Sequence, residues 1–107
     1  MASSWATPAP KDAKQFLCNL PDLADSKRQS IRPQHLAGAQ EAHDHGWLIQ
    51  GGALLSDDGS QMLGSFMLIN AESKEQAREM LSKDIYATGG AWDMSKATIT
   101  RVKVAKH

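Results

Sequence analysis

The sequence predicts an α+β fold, a four-stranded antiparallel sheet with two helices on one face, and three observations carry that expectation. Strand-like and helix-like segments follow one another in the order β-α-β-β-α-β. The two central strands are joined by Asp57-Asp58-Gly59-Ser60, whose residue types suit a hairpin turn. The two helical segments each connect strands that a short turn cannot join, and right-handed crossovers put both helices on one side of the sheet. This is the ferredoxin-like sandwich. A chain of 107 residues supplies one such domain and no second one. It divides into a flexible N-terminal arm, residues 1–13, with Trp5 as its one possible anchor, and a folded unit over residues 14–107.

Taken in order, Lys14 to Leu20 alternates, with Phe16, Cys18 and Leu20 on one side, and Pro21 ends this first strand. A helix then runs to about His45. Either Ser30 caps its start, or Arg32 is the boundary and Pro33 the first helical residue, where a missing N–H costs nothing. Its apolar stripe, Leu36, Ala39 and His43, is thin enough to leave room for a cleft against the sheet, and Gly46 is placed to close it. Trp47 to Leu54 forms the second strand, where Gly51-Gly52 either bulges the chain or lets something approach its backbone. Met62 to Ile69 forms the third. Both faces of that strand are apolar, and helices cover only one, so a homodimer with packed sheets is expected to cover the other. Ser73 and Gln76 match a capping box opening the second helix, with Ala77, Met80 and Leu81 inward and a Glu79–Lys83 pair outward. A glycine-rich loop from Asp84 to Trp92 leads to the last strand, Ala97 to Val104, with Thr98, Thr100, Val102 and Val104 on one side.

Several partner classes are excluded on composition. Twelve basic side chains are interspersed with twelve acidic ones, so the basic footprint of a nucleic-acid binder is missing. The longest run of large apolar residues, Phe66 to Ile69, is far below the roughly 18 to 20 residues that span a bilayer. Cys18 has no partner for a disulfide or a thiolate metal site, and its apolar neighbours make it a small buried hydrophobe rather than a nucleophile. His43 and His45 point about 200° apart on a helix, so they do not share a metal ion. The first dozen residues resemble neither a secretory signal nor a mitochondrial presequence, which leaves a cytoplasmic protein as the expectation.

The segment Arg28-Gln29-Ser30-Ile31-Arg32-Pro33-Gln34-His35-Leu36 concentrates two cations and a histidine where a helix begins. If the helix already exists at Arg28, then Arg28, Arg32 and His35 fall within an arc of roughly 60°. Imidazole suits proton transfer near neutral pH, and a carboxylate can fix its tautomer and stabilise the imidazolium. Asp84 is far from His35 in sequence, but both helices share one sheet face. A carboxylate at a helix C-terminus opposes the macrodipole and so asks for another explanation. Arg32 is either a structural ion pair or a fork for a substrate carboxylate or enolate. Tyr86 and Trp92 either line a pocket or plug the edge of the core.

The run Lys27 to Leu36, the strand Gly46 to Ala53, the Gly64-Ser65 pair and Asp84-Ile85-Tyr86 together resemble the YCII-related (YciI-like) family. The resemblance covers about Lys14 to Val104, and its most specific parts are the Arg-Pro-x-His-Leu segment and the spacing to Asp-x-Tyr; the family's usual proline after the aspartate is Ile85 here. It implies a ferredoxin-like protomer that pairs into a dimeric α/β barrel, with His35 and Asp84 as the catalytic pair. Arg32, Ser65, Tyr86 and Trp92 are then the candidate substrate-binding residues. The implied activity is that of a lyase or isomerase acting on a small cyclic or aromatic acid, lactone or polyketide-like compound. The reaction is proton abstraction next to a carbonyl, then isomerisation, elimination or cyclisation, with no metal or redox cofactor required. The alternative is a non-catalytic small-molecule-binding or accessory domain on the same scaffold.

Overall fold

In the computed structural model, which describes residues 3–107, four strands form one antiparallel sheet in the order β2-β3-β1-β4. The strands are β1 (Lys14–Pro21), β2 (Leu48–Leu55), β3 (Met62–Ala71) and β4 (Thr98–Val102). The helices α1 (Arg28–Asp44) and α2 (Lys74–Lys83) are the two crossovers. Cys18 is opposite Met67 on one side and Ile99 on the other, and all three are buried. This row, with Phe16, Leu20, Ile69 and Ala71, forms the helix-covered face, while Leu17, Leu68 and Thr100 pair on the reverse face. The expected ferredoxin-like sandwich is therefore the observed fold. No helix among the described residues is long and apolar enough to cross a membrane.

Local signals account for most element ends. Gly46 lies just beyond α1 with φ of 87°, a left-handed conformation that glycine adopts without a Cβ penalty. At the start of α2 the Ser73 hydroxyl accepts the Gln76 N–H (3.0 Å), while Gln76 Oε1 accepts the Glu72 N–H (2.8 Å). Ala77, Met80 and Leu81 are buried, and Lys83 reaches Glu79 at 3.2 Å on the outer side. The Gly51-Gly52 pair serves close approach, since a Cβ on Gly52 would stand 2.8 Å from the Phe66 ring.

Three boundaries differ from expectation. The first helix begins at Arg28, ahead of the Ser30 and Arg32 boundaries and as the shared face of Arg28, Arg32 and His35 requires, and Lys27 caps it with no side-chain hydrogen bond. Tertiary contacts fix this turn: Lys27 N–H donates to the Gly90 carbonyl (3.0 Å), Ser26 Oγ accepts the Arg28 N–H (3.3 Å), and the Arg28 side chain is buried against Asp22. Pro33 consequently lies inside the helix, and the carbonyl of exposed Gln29, four residues earlier, lacks an intrahelical donor. The glycine-rich loop contains a further helix, α3 (Ile85–Thr88), because Asp84 ends α2 and caps α3, accepting the Tyr86 N–H at 2.9 Å. Strand β4 stops at Val102, opposite Gln15 near the start of β1; beyond that register the Val104 N–H donates to the Gln15 side chain instead (2.7 Å).

Of the expected flexible arm, residues 1–13, Met1 and Ala2 lie outside the described residues. Trp5 is 1% exposed within the core. Trp47 Nε1 donates to the Thr7 carbonyl (2.6 Å), the Ala9 N–H donates to the His45 carbonyl (2.9 Å), and the Trp5 and Trp47 rings meet edge to face at 5.9 Å.

Candidate functional site

A cleft opens between α1 and the β2–β3 half of the sheet, with a volume of about 180 Å³. It exists because the facing residues are small: Ala39 on α1 and Gly51 and Ala53 on β2 leave space that larger side chains would fill. Leu36, Met62 and Met67 make its wall apolar. Arg28, Arg32 and His35 enter from one side of α1, as the early helix start requires, and Tyr86 and Ser65 complete the polar part.

His35 and Asp84 meet. His35 Nδ1 lies 2.9 Å from Asp84 Oδ1, and the Asp84 side chain is 2% exposed. The same carboxylate accepts the Tyr86 N–H at Oδ1 (2.9 Å) and the Trp5 indole N–H at Oδ2 (2.9 Å). A carboxylate surrounded by N–H donors acts as an acceptor, so Nδ1 carries the imidazole proton. In neutral His35 the lone pair is then on Nε2, which has no protein partner among the described residues, and the ring lines the cleft. The ring is clamped. Tyr86 stacks on it with centroids 3.7 Å apart and planes 2° apart, and Trp92 meets it edge to face at 5.6 Å.

A second polar network stands behind the cleft. The Arg28 guanidinium forks onto Asp22, Nε to Oδ2 at 2.8 Å and Nη2 to Oδ1 at 2.9 Å, and Nη2 also donates to Ser65 Oγ at 2.7 Å. Ser65 Oγ accepts Trp92 Nε1–H as well (3.1 Å), and the Arg28 guanidinium carbon lies 4.9 Å from the Tyr86 ring centre. Burial opposes the charge on Arg28, but the hydrogen bonds to Asp22 and its charge outweigh it, so the guanidinium is held above its ordinary pKa. Burial also raises the Tyr86 phenol, against the pull of the Arg28 and Arg32 charges. Cys18 lies in the sheet core, where burial pushes its thiol up to about 12; it is no nucleophile at neutral pH.

Of the candidates read from the sequence, Arg32, His35, Ser65 and Tyr86 line the cleft, and Asp84 stands directly behind His35. Arg32 is exposed and forms no ion pair among the described residues. Trp92, expected as a substrate contact, is not part of the lining; it is 2% exposed and supports His35, Tyr86 and Ser65 from behind. Nothing in the sequence marks Asp22 for the site; Trp5 is expected only as an anchor for the arm, and Arg28 only as one end of a helical face. Asp22 simply follows the proline that ends the first strand. The one available sign for Trp5 was a large aromatic among small residues and prolines.

Residues 8–98 match the model of the YCII-related domain. The chain belongs to the YCII-related domain family. Among curated relatives, an aspartate kinase of Fusarium oxysporum f. sp. lycopersici is 35% identical over 102 residues, 89% of this chain but 19% of the kinase. Fusaric acid biosynthesis protein 2 of Gibberella fujikuroi is 35% identical over 95 residues, covering 82% of this chain and 91% of that protein. The chain thus spans under a fifth of the first relative and most of the second. Among solved structures, 5-chloro-2-hydroxyhydroquinone dehydrochlorinase from Burkholderia phenoliruptrix, in complex with 2,5-dihydroxybenzoquinone, superposes with a TM-score of 0.70 at 24% identity, covering 85% of this chain and 95% of that one. That likeness establishes the fold of this YCII-related domain.

Proposed function

We propose that this YCII-related domain is a small-molecule lyase or isomerase that abstracts a proton next to a carbonyl. The observation carrying the reading is the 2.9 Å contact between His35 Nδ1 and the buried Asp84 carboxylate, with the His35 ring on the cleft wall. Nε2 takes the proton from carbon, the C–H electron pair moves toward the carbonyl carbon, and an enolate forms. Returning the proton to another carbon gives isomerisation, and expelling a leaving group with the electron pair gives elimination. Asp84 stabilises the imidazolium, while Arg32 and Tyr86, both on the cleft wall, supply positive charge and a donor to the developing oxyanion. A cavity of about 150 Å³ holds benzene, so a cleft of about 180 Å³ suits a single-ring acid, lactone or hydroxyquinone. The neighbour's printed identity, a dehydrochlorinase bound to a hydroxylated benzoquinone, and a relative named for fusaric acid biosynthesis support this class.

The working assembly is a homodimer whose sheets pack face to face. Leu17 is 44% exposed on the reverse face of the sheet, beside half-buried Phe66 and Leu68, and no helix among the described residues covers that side.

The test is a screen of single-ring hydroxyquinones, lactones and keto acids in deuterated buffer, reading deuterium gained at carbon and product formed. His35→Ala is expected to lose about 100-fold or more of turnover with its fold intact. Undiminished turnover in that variant would sink the assignment. Ligands that raise the melting temperature but stay unchanged on long incubation would favour the binding-domain alternative.

A further inference from the structure

The N-terminal segment reaches the back of the candidate site, on the opposite side of Asp84 from the cleft. Trp5, Gln34, Gly38, Glu41, Lys83 and Asp84 border a second depression there. The indole is seated firmly. Trp5 is 1% exposed, its ring edge lies against Gly38, where an added Cβ would stand 3.8 Å from Cδ1, and it meets Trp47 edge to face. Ser3 Oγ ties the segment down by accepting the Trp5 N–H (3.2 Å) and donating to Glu41 Oε2 (3.2 Å). Nε1–H then has one acceptor, Asp84 Oδ2, at 2.9 Å. Both oxygens of the carboxylate are thereby committed, one to Trp5 and the other to His35 and Tyr86.

We infer that Trp5 is a positioning residue for the His35–Asp84 pair: its indole N–H holds the carboxylate in register with the imidazole, so that Nδ1 keeps the proton and Nε2 stays free toward the cleft. The positive end of the N–H dipole points at the carboxylate. It therefore stabilises the ionised carboxylate with Oδ1 turned to Nδ1–H, which keeps Nε2 available as a base. The other ionisable groups around the pair are Arg28 and Arg32 on α1 and Tyr86 on α3 toward the cleft, with Glu41 of α1 and Lys83 of α2 on the Trp5 side. The strands contribute no ionisable side chain to the cleft lining. The segment ahead of the first strand is, on this inference, a working part of the site. It rests on the reading of His35 as the base.

The experiment is NMR of the His35 ring nitrogens in the full chain at one mildly alkaline pH, compared with Trp5→Phe, which keeps a large ring and deletes the donor. The share of the Nδ1–H tautomer is expected to fall severalfold against the Nε2–H tautomer. In an Asp84→Asn background the same Trp5→Phe change is expected to leave the tautomer ratio where it was, because the route runs through the carboxylate. No change, a rise in the Nδ1–H share, or an equal change in both backgrounds overturns the inference; the last outcome marks Trp5 as packing alone. The Trp5 indole N–H resonance is expected to move on Asp84→Asn, and a resonance that stays fixed in that variant also overturns it. These readouts need no turnover, so a catalytically indifferent His35→Ala would defeat the proposed activity while leaving the Trp5 result to be judged separately.

Discussion

Replacing Arg28 by methionine isolates what the buried Asp22–Arg28 pair contributes. Methionine retains much of the aliphatic stem, so the change removes the guanidinium and its contacts to Asp22 and Ser65. The two side chains are 8% and 9% exposed, so Asp22 is left as a carboxylate without its cation and with little water. Breaking a buried pair from one side costs about 3–5 kcal/mol, against a total of about 5–15 kcal/mol for a domain. At about 4 °C or more per kcal/mol for a domain of this size, the melting temperature is expected to fall by about 12 °C or more. Arg28→Met with Asp22→Leu replaces both charges by apolar groups and is expected to recover most of the loss. Thermal and urea unfolding of the two single variants and the double variant, followed by circular dichroism, measures the cycle. A loss under about 1 kcal/mol for Arg28→Met would refute the reasoning. So would a double variant whose loss equals the sum of the single ones, because the two residues would then not be coupled.

In the β2–β3 hairpin, Asp58 accepts the Ser60 N–H and hydroxyl and the Ser56 hydroxyl, and these bonds, the backbone one first, lower its pKa to about 2. A depressed folded pKa contributes stability that is fully present above the unfolded value of about 3.9 and is lost as pH falls through about 2. The Asp58 carboxyl resonance is expected to titrate near the lower value, and Asp58→Asn to remove that part of the acid dependence of unfolding; a midpoint near 4 would contradict the geometry. On the reverse face of the sheet, Leu17→Lys is expected to convert a dimer into a folded monomer in sedimentation velocity, and an original chain that sediments as a monomer at high concentration would remove the assembly.

What was legible in the sequence is what local chemistry determines. The alternation of Phe16, Cys18 and Leu20 is the burial alternation of β1, and the Ser73 and Gln76 side chains cap α2. Elements fixed by distant contacts were not legible. The start of α1 depends on Asp22, past the end of β1, and on Ser65 and the Gly90 carbonyl, which reach Arg28 and its neighbour Lys27 from distant parts of the chain. Nor did glycine-rich composition reveal α3, whose existence turns on one carboxylate serving both as the end of α2 and as a cap. His35 and Asp84 are 49 residues apart, and their contact follows from two crossovers on one face, a topological consequence the strand order could supply. Trp5 had no such guide, because nothing periodic links the N-terminal segment to the far side of α1.

The space beside His35 and the polarity of its surroundings have a common origin. Helix α1 buries only Arg28, Gly38 and Ala42, with half-buried Ile31 as its one large apolar contact with the core, and the gap this leaves on the β2 side is the cleft. A helix with so little apolar burial needs other attachments. They are the Asp22 and Ser65 contacts at Arg28, the His35–Asp84 contact in its middle, and the Trp5 segment against Gly38. Each of these involves a residue of the candidate site or its immediate support. Weakening any of them is therefore expected to move the cleft residues as well as to destabilise the fold. For that reason the decisive measurements are those that separate the two effects, such as the His35 tautomer ratio in an Asp84→Asn background, rather than loss of activity alone.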